Sequence, residues 1–249
     1  IYIVIYSIYF LIGILDDIKT LSPKLRSLLI ISSTIILILF ESDFNISNLN
    51  FKSINSIENL NYFSYLFTIF CIFALYNALN FIDGYNGSAT SIILFWSLFL
   101  LIKNPNIFYL MVLVVSALIF IYNLSGKIFL GNSGTSLFSI FFALSVISEH
   151  NNNNLYADEI LLLLLFPGID MIRVTAQRIL NRKKIYNPDK THFHHYLIYA
   201  EIKYIWQIIL SLTILPILLF SFINNLFICL FSTILIYILF FNFIKKYHV

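Results

Sequence analysis

The sequence predicts an all-α, polytopic integral membrane bundle whose chemistry sits in a cleft at its cytoplasmic end. Three observations carry that prediction. Hydrophobic residues fill 60% of the 249 positions and charged residues only 11%, against about 25% charged in a soluble domain; mean hydropathy is +0.89. The apolar runs are continuous rather than alternating, which selects helices over a barrel, since barrel strands alternate lipid-facing and lumen-facing residues. The lysines and arginines become one-sided once the runs are threaded alternately through a bilayer.

Nine spans are expected, at 1–15, 25–40, 62–79, 89–102, 107–124, 136–148, 155–169, 205–222 and 226–244. Several fall short of the ~20 residues a span needs, so the helices must borrow flanking residues. Pro167 and Pro216 are expected to kink their spans. One transmembrane domain accounts for 1–249, with no soluble domain, long linker or repeat, and 151–154 is a polar loop tip. Ile1 opens without a methionine or charged leader, so no signal peptide is read there, and the first span is expected to be cut short of its true beginning. Cys71 and Cys229 lie in apolar runs and read as core residues. A net charge of +3 gives no reason to invoke nucleic acid.

Threading puts 13 of the 15 lysines and arginines on one side, which is therefore cytoplasmic, and only Lys52 and Lys103 on the other. The acidic residues divide six and six. Glu41, Asp43, Glu58, Glu149, Asp158 and Glu159 fall outside, in loops of ordinary polar composition. Every chemistry-bearing cluster falls inside: Asp16-Asp17, 77–87, 131–136 and 172–204. Four segments distant in sequence can therefore line one cleft.

Each cluster has a functional and a plain reading. Asp16 and Asp17 close the first span. Adjacent carboxylates repel, and such pairs serve a cation or proton transfer; a charged helix end is the plain alternative. Lys24 and Arg26 read phosphates or simply follow the inside-positive bias. Asn77, Asn80 and Asp83 are spaced by threes, so one helical face carries all three. Gly84 and Gly87 then let the backbone leave the helix and approach a ligand. Gly131-Asn132-Ser133-Gly134 leads into a helix whose N–H groups attract anions, although Ser133, Thr135 or Ser136 can be simple caps. Ile172, Ala176, Ile179 and Leu180 fall at helical spacing among arginines and lysines, which describes a basic amphipathic helix on the membrane surface. His192, His194 and His195 follow. Zinc would want a fuller ligand set than this loop offers, and imidazoles donating to a diphosphate are more economical.

Taken in order, these motifs resemble the polyprenyl-phosphate N-acetylhexosamine-1-phosphate transferase family (glycosyltransferase family 4), relatives of the phospho-MurNAc-pentapeptide transferase. The matching motifs are Gly-Ile-Leu-Asp16-Asp17 with Ser-Pro-Lys24-Leu-Arg26, Asn77-x-x-Asn80-x-x-Asp83-Gly-x-Asn86-Gly, Phe-Leu-Gly131-Asn132-x-Gly134, Pro167-x-x-Asp170, and Asn-Pro-Asp189-x-x-His192-x-His194-His195. The family's first helices would precede Ile1. The resemblance implies that a UDP-activated N-acetylhexosamine gives its sugar 1-phosphate to undecaprenyl phosphate and releases UMP. The setting would be the cytoplasmic face of a bacterial inner membrane, at the start of O-antigen, teichoic acid or capsule assembly. It implies Mg²⁺, with Mn²⁺ as the alternative cation, and it allows a homodimer.

Residue by residue, the resemblance makes Asp16, Asp17, Asp83, His192, His194 and His195 catalytic. Asn80 and Asn132 would hold the metal, and Lys24, Arg26, Asn77, Asn86 and Asp170 would bind substrate. Two departures stand out. Asn132 replaces the family's aspartate and brings an oxygen without its negative charge. Ser88 and Asn86 replace the commoner leucine and aspartate. The first departure motivates a competing reading, a relative that binds its ligands without efficient turnover. A transporter would carry polar residues at mid-span, which these spans lack.

Overall fold

The structure, a computed structural model, describes residues 2–182, 184 and 191–247. Eleven α-helices and one β-hairpin make up its regular structure, apart from two short 3₁₀ turns. The helices are α1 (Tyr2–Lys19), α2 (Pro23–Phe40), α3 (Ser64–Ile82), α4 (Ser88–Lys103), α5 (Ile107–Leu124), α6 (Gly131–Asn151), α7 (Ala157–Leu163), α8 (Leu165–Leu180), α9 (Phe193–Tyr199), α10 (Ile205–Ile223) and α11 (Leu226–Lys245). Among the described residues, six segments are long and apolar enough to cross a membrane: α2, α3 with its preceding turn, α5, α6, α10 and α11. The chain is accordingly a multi-pass membrane protein. Of the other expected spans, α4 is apolar but only 16 residues long, and α1 carries Asp16, Asp17 and Lys19 in its last turn.

The expected span 155–169 is two helices. Pro167 has no N–H to give the carbonyl of Leu163, four residues back. The chain breaks at Leu164, and that carbonyl accepts the indole N–H of Trp96 at 3.3 Å instead. By contrast, α10 continues through Pro216.

Helix α6 is the axis of the bundle. It packs against α1, α3 and α4, and 67% of its apolar window is buried, against 17% for α5. Its serines and small residues let neighbours approach closely, which is how helices associate where lipid is as apolar as leucine. The outward faces of α5 and α11 are rows of bare apolar side chains such as Met111, Val115, Leu118, Phe231 and Leu239.

Two expectations about the end opposite the clusters need correction. The chain is not wholly helical there: β1 (Asn48–Phe51) pairs antiparallel with β2 (Ser56–Asn59), with Asn55 at a left-handed φ of 48° between them. Glu149, Asp158 and Glu159 are not loop residues. They lie in α6 and α7 and are buried.

Candidate active site

Five helix ends meet where the sequence clusters were expected to. At the foot of α1, Asp16 is buried and pairs with Arg26 of α2 (Nη1 to Oδ2, 2.6 Å). One turn before Asp17, Gly13 touches α6 so closely that a Cβ would fall on the backbone of Asn132 and Ser133. That contact delivers Asp17 to the start of α6, where its carboxylate accepts from Asn132 N at 2.9 Å and Ser133 N at 3.0 Å. The positive end of α6 is thus capped by a carboxylate from another helix. Ser133, Thr135 and Ser136 lie within α6 itself and are not its cap.

Asn77, Asn80 and Asp83 share one face of α3 and its end, as their spacing requires, and all three line one cavity of about 850 Å³. Asn80 Nδ2 donates to Asn132 Oδ1 at 2.7 Å and Thr135 Oγ1 at 3.3 Å. Asp83 is half-buried beside Gly131. Burial pushes its carboxyl up to about 7; a hydrogen bond from the Gly131 backbone opposes this, and the charge of Asp17 adds to it. The chain then turns through Gly87, at φ 86°, into α4. Buried Asn123 holds this turn by accepting from Gly87 N at 2.7 Å and Thr90 Oγ1 at 3.1 Å. Asn86, on the same turn, is exposed near Gly126 and is not part of the cavity wall.

The histidines close the far side. His192 precedes α9, its ring 4.7 Å from that of Phe81 and parallel to His194 at 5.9 Å. His194 lies directly on Gly84, where any Cβ would overlap the ring. Burial, with His195 and His192 nearby, pushes the His194 imidazole down to about 3, and its Nε2 has no hydrogen-bond partner among the described residues. At neutral pH it is an uncharged wedge. Asp170 stands behind the histidines and is 1% exposed; its Oδ2 is 3.8 Å from His192 Nδ1, longer than a hydrogen bond, and accepts from Phe193 N at 3.3 Å.

Of the residues singled out in sequence, Lys24, Arg26, Asn77, Asn80, Asp83, His192, His194 and His195 line the cavity. Asp17, Asn132 and Asp170 are not in its wall but touch residues around it, and Asp16 reaches it through Arg26. Asn187, Pro188, Asp189 and Lys190 lie outside the described residues. Arg178 was legible only as one basic residue of a surface helix, yet it is buried in the cavity wall over the ring of Phe81. The surface-helix reading is half right. Ile172, Ala176, Ile179 and Leu180 form a face that protein leaves bare, while Arg173 and Arg178 turn inward. Asn123 and Tyr237 had no motif to announce them.

Around Gly131 stand two carboxylates, Asp17 and Asp83, and two amides, Asn80 and Asn132. No ion pair reaches Asp83 among the described residues, nor does a hydrogen bond reach Asn80 Oδ1. An all-oxygen set with one carboxyl raised by burial fits a hard cation such as Mg²⁺, which takes one or two carboxylates and completes its shell with water and substrate phosphate. Among the described residues, no group of three or more His, Cys, Asp or Glu could hold a metal ion without such help.

Fold and site together define a multi-pass membrane protein with a polar cleft at one end of its bundle. The chain belongs to glycosyl transferase family 4, whose sequence profile matches residues 1–150. That match takes in the clusters of α1, α3 and α6 and stops before Asp170 and the histidines. No curated protein shows a significant match to the chain.

Proposed function

We propose that this transferase moves N-acetylhexosamine 1-phosphate from a UDP-sugar to polyprenyl phosphate, with release of UMP. The observation that carries the proposal is the composition of the cavity beside Asn80 and the histidines. Lys24, Arg26 and Arg178 share it with the histidines and Asn80 at one end, and Phe70, Phe73, Ala74 and Met171 continue it along α3 and α8. A nucleotide diphosphate suits the first region and a prenyl chain the second. The family match supports sugar-phosphate transfer, and the inside-positive threading supports a cytoplasmic cleft facing the nucleotide pool. An undecaprenyl carrier in a bacterial inner membrane, at the first step of a surface polysaccharide, agrees with that setting.

In the proposed reaction an oxygen of the acceptor phosphate attacks the phosphorus that bears the sugar. A new P–O–P linkage forms, the old one breaks, and UMP leaves. Such transfers depend on placement and charge neutralisation more than on covalent help. Lys24, Arg26 and Arg178 supply the positive charge, and His192 and His195 supply N–H donors. Asp83, with a carboxyl near 7, is poised to take the proton of a monoprotonated acceptor phosphate at physiological pH. Asp16 and Asp17 act behind it, holding Arg26 and the start of α6. A bound Mg²⁺, held by Asn80 and Asn132 beside the carboxylates, would neutralise diphosphate oxygens.

The test is UMP release from a panel of UDP-N-acetylhexosamines by purified protein with polyprenyl phosphate, with and without Mg²⁺. Release that needs both lipid and metal supports the reading; background release with every donor rejects it. A second reading is favoured by one observation, the amide pair Asn80–Asn132, which leaves the cation site one negative charge short. On that reading the chain binds its ligands with little turnover, and Asn132→Asp restores the rate.

A further inference from the structure

The last helix sends a single hydroxyl toward the site. Tyr237 of α11 is 3% exposed, and its Oη donates to Asp170 Oδ1 at 3.0 Å while accepting from Arg173 Nε at 2.9 Å. The Arg173 Nη2 atom donates to the same Oδ1 at 2.6 Å and to the carbonyl of Thr191, also at 2.6 Å. The other Asp170 oxygen takes the N–H of Phe193 and faces His192. Below the hydroxyl, the Tyr237 ring stacks on Phe193 at 5.5 Å, and the Arg173 guanidinium lies 4.3 Å over Phe241. Both residues flanking His192 are thus gripped by one buried network, and α11 closes it.

We propose that Tyr237 is a positioning residue: through Arg173 and Asp170 it fixes the chain on either side of His192 and so holds the histidine segment against the cavity. The physical case is one of satisfaction. Asp170 is a buried carboxylate, tolerable only with its charge paired and its oxygens filled. Arg173 is a planar fork that can serve Oδ1, a tyrosine oxygen and a main-chain carbonyl together only if each stays in place. Removing the tyrosine oxygen strips one bond from each of its two partners and leaves the aromatic stack in place. Arg173 Nε then keeps only its longer contact to Asp170 Oδ1 at 3.2 Å, and Nη1 its contact to Gln177 Oε1 at 3.3 Å, so the fork is held less tightly and its grip on Thr191 and Phe193 weakens. Neither Tyr237 nor Arg173 lines the cavity, so the effect must pass through the histidines.

The catalytic consequence rests on the transferase reading, but the contact itself does not. The test therefore has two readouts. The first is the rate at which diethyl pyrocarbonate modifies His192, resolved by mass spectrometry on detergent-solubilised full chain, which needs no turnover. Tyr237→Phe should raise that rate about tenfold, the equivalent of one lost hydrogen bond to a charged group, with little change in thermal midpoint. Arg173→Lys, which keeps the charge and loses the fork, should raise it similarly. The double variant should add little, because both changes cut the same link. The second readout is steady-state UMP release, where Tyr237→Phe should raise KM for the UDP-sugar more than it lowers kcat. Should Tyr237→Phe fail to fold, Arg173→Lys alone decides. An unchanged His192 rate in the folded variants overturns the proposal whether or not the wild type releases UMP. A raised rate in a protein that transfers nothing sustains the network and rejects only the transferase reading.

Discussion

The two ends of the bundle bury titratable groups in opposite ways. At the hairpin end every buried charge finds its partners inside the chain. Glu149 receives both Asn104 contacts at 3.0 and 3.2 Å, the Tyr109 hydroxyl at 2.7 Å and Asn154 at 2.7 Å. Glu159 pairs with Lys103, and Asp158 accepts from Ser53 N and Glu159 N. His150 bridges the carbonyls of Leu155 and Asn48, each at 2.9 Å, tying α6 to the hairpin. At the cavity end, among the described residues, Asp83 has no ion pair and neither His192 Nδ1 nor His194 Nε2 has a hydrogen bond. Buried polar groups cost free energy unless they are satisfied. Neutral Asn50 Oδ1, Ser53 Oγ and Ser56 Oγ at the hairpin also lack partners among the described residues, so it is the unmet titratable groups that set the cavity end apart as the place where a ligand completes the structure.

Substitutions at the two ends should separate activity from stability. The largest effect is expected from Asp83→Asn, which should lower UMP release about a hundredfold while leaving the thermal midpoint unchanged or higher, because it removes a poorly relieved carboxyl. Glu149→Ala should do the reverse. It strands the donors of Asn104, Tyr109 and Asn154 and should cost about 3 kcal/mol, read as a fall in thermal midpoint with KM untouched. If Glu149→Ala instead changes KM, the two ends are coupled and the division fails.

Gly84→Ala comes next. The new methyl overlaps the His194 ring, and overpacking of this kind costs about 1–3 kcal/mol. Because the ring is the movable partner, the change should appear chiefly as a higher KM for the UDP-sugar.

Acidity should have a smaller and two-signed effect. Asp83 is raised from 3.8 to about 7, so the stability it contributes is present below 3.8 and is lost as pH rises toward 7. His194 is lowered from 6.5 to about 3, so its contribution is present above 6.5 and is lost as pH falls toward 3. The two oppose each other between those limits, and Asp83→Asn should expose the histidine alone as a thermal midpoint that climbs with pH across that window. In wild type, kcat/KM should drop below pH 7 as Asp83 takes a proton, and saturating Mg²⁺ should shift that limb to lower pH. The smallest expected change is from Asn132→Asp, about a tenfold lower half-saturating Mg²⁺ concentration. An unchanged Mg²⁺ requirement would remove Asn132 from the cation site.

The helices were legible because lipid imposes a simple rule, long uninterrupted apolar runs, and 25–40, 62–79, 107–124, 205–222 and 226–244 all became helices close to those limits. The face shared by Asn77, Asn80 and Asp83 was legible from spacing alone, and the alternate threading brought distant clusters to one end. Where sequence reading failed, the deciding partner was remote. Pro167 breaks its helix where expected to bend it, because Trp96 is there to take the orphaned carbonyl. Asp17 turned out to cap α6 because Gly13 lets α1 lie against it. Glu149 looked like a solvated loop residue because its three donors come from α5, the connection between α4 and α5, and the turn after α6.

Composition, period and motif order determined by themselves that this chain lives in a membrane, which family it joins and which residue types its site contains, since each of those is a property of local sequence. Only the tertiary structure decided what those residues are bonded to: that one carboxylate of an adjacent pair holds an arginine and the other a helix end, that the middle histidine is a neutral wedge, and that a tyrosine from the final helix reaches the histidine segment. Partnership and protonation depend on what burial brings within about 3 Å, and no spacing along the chain encodes that.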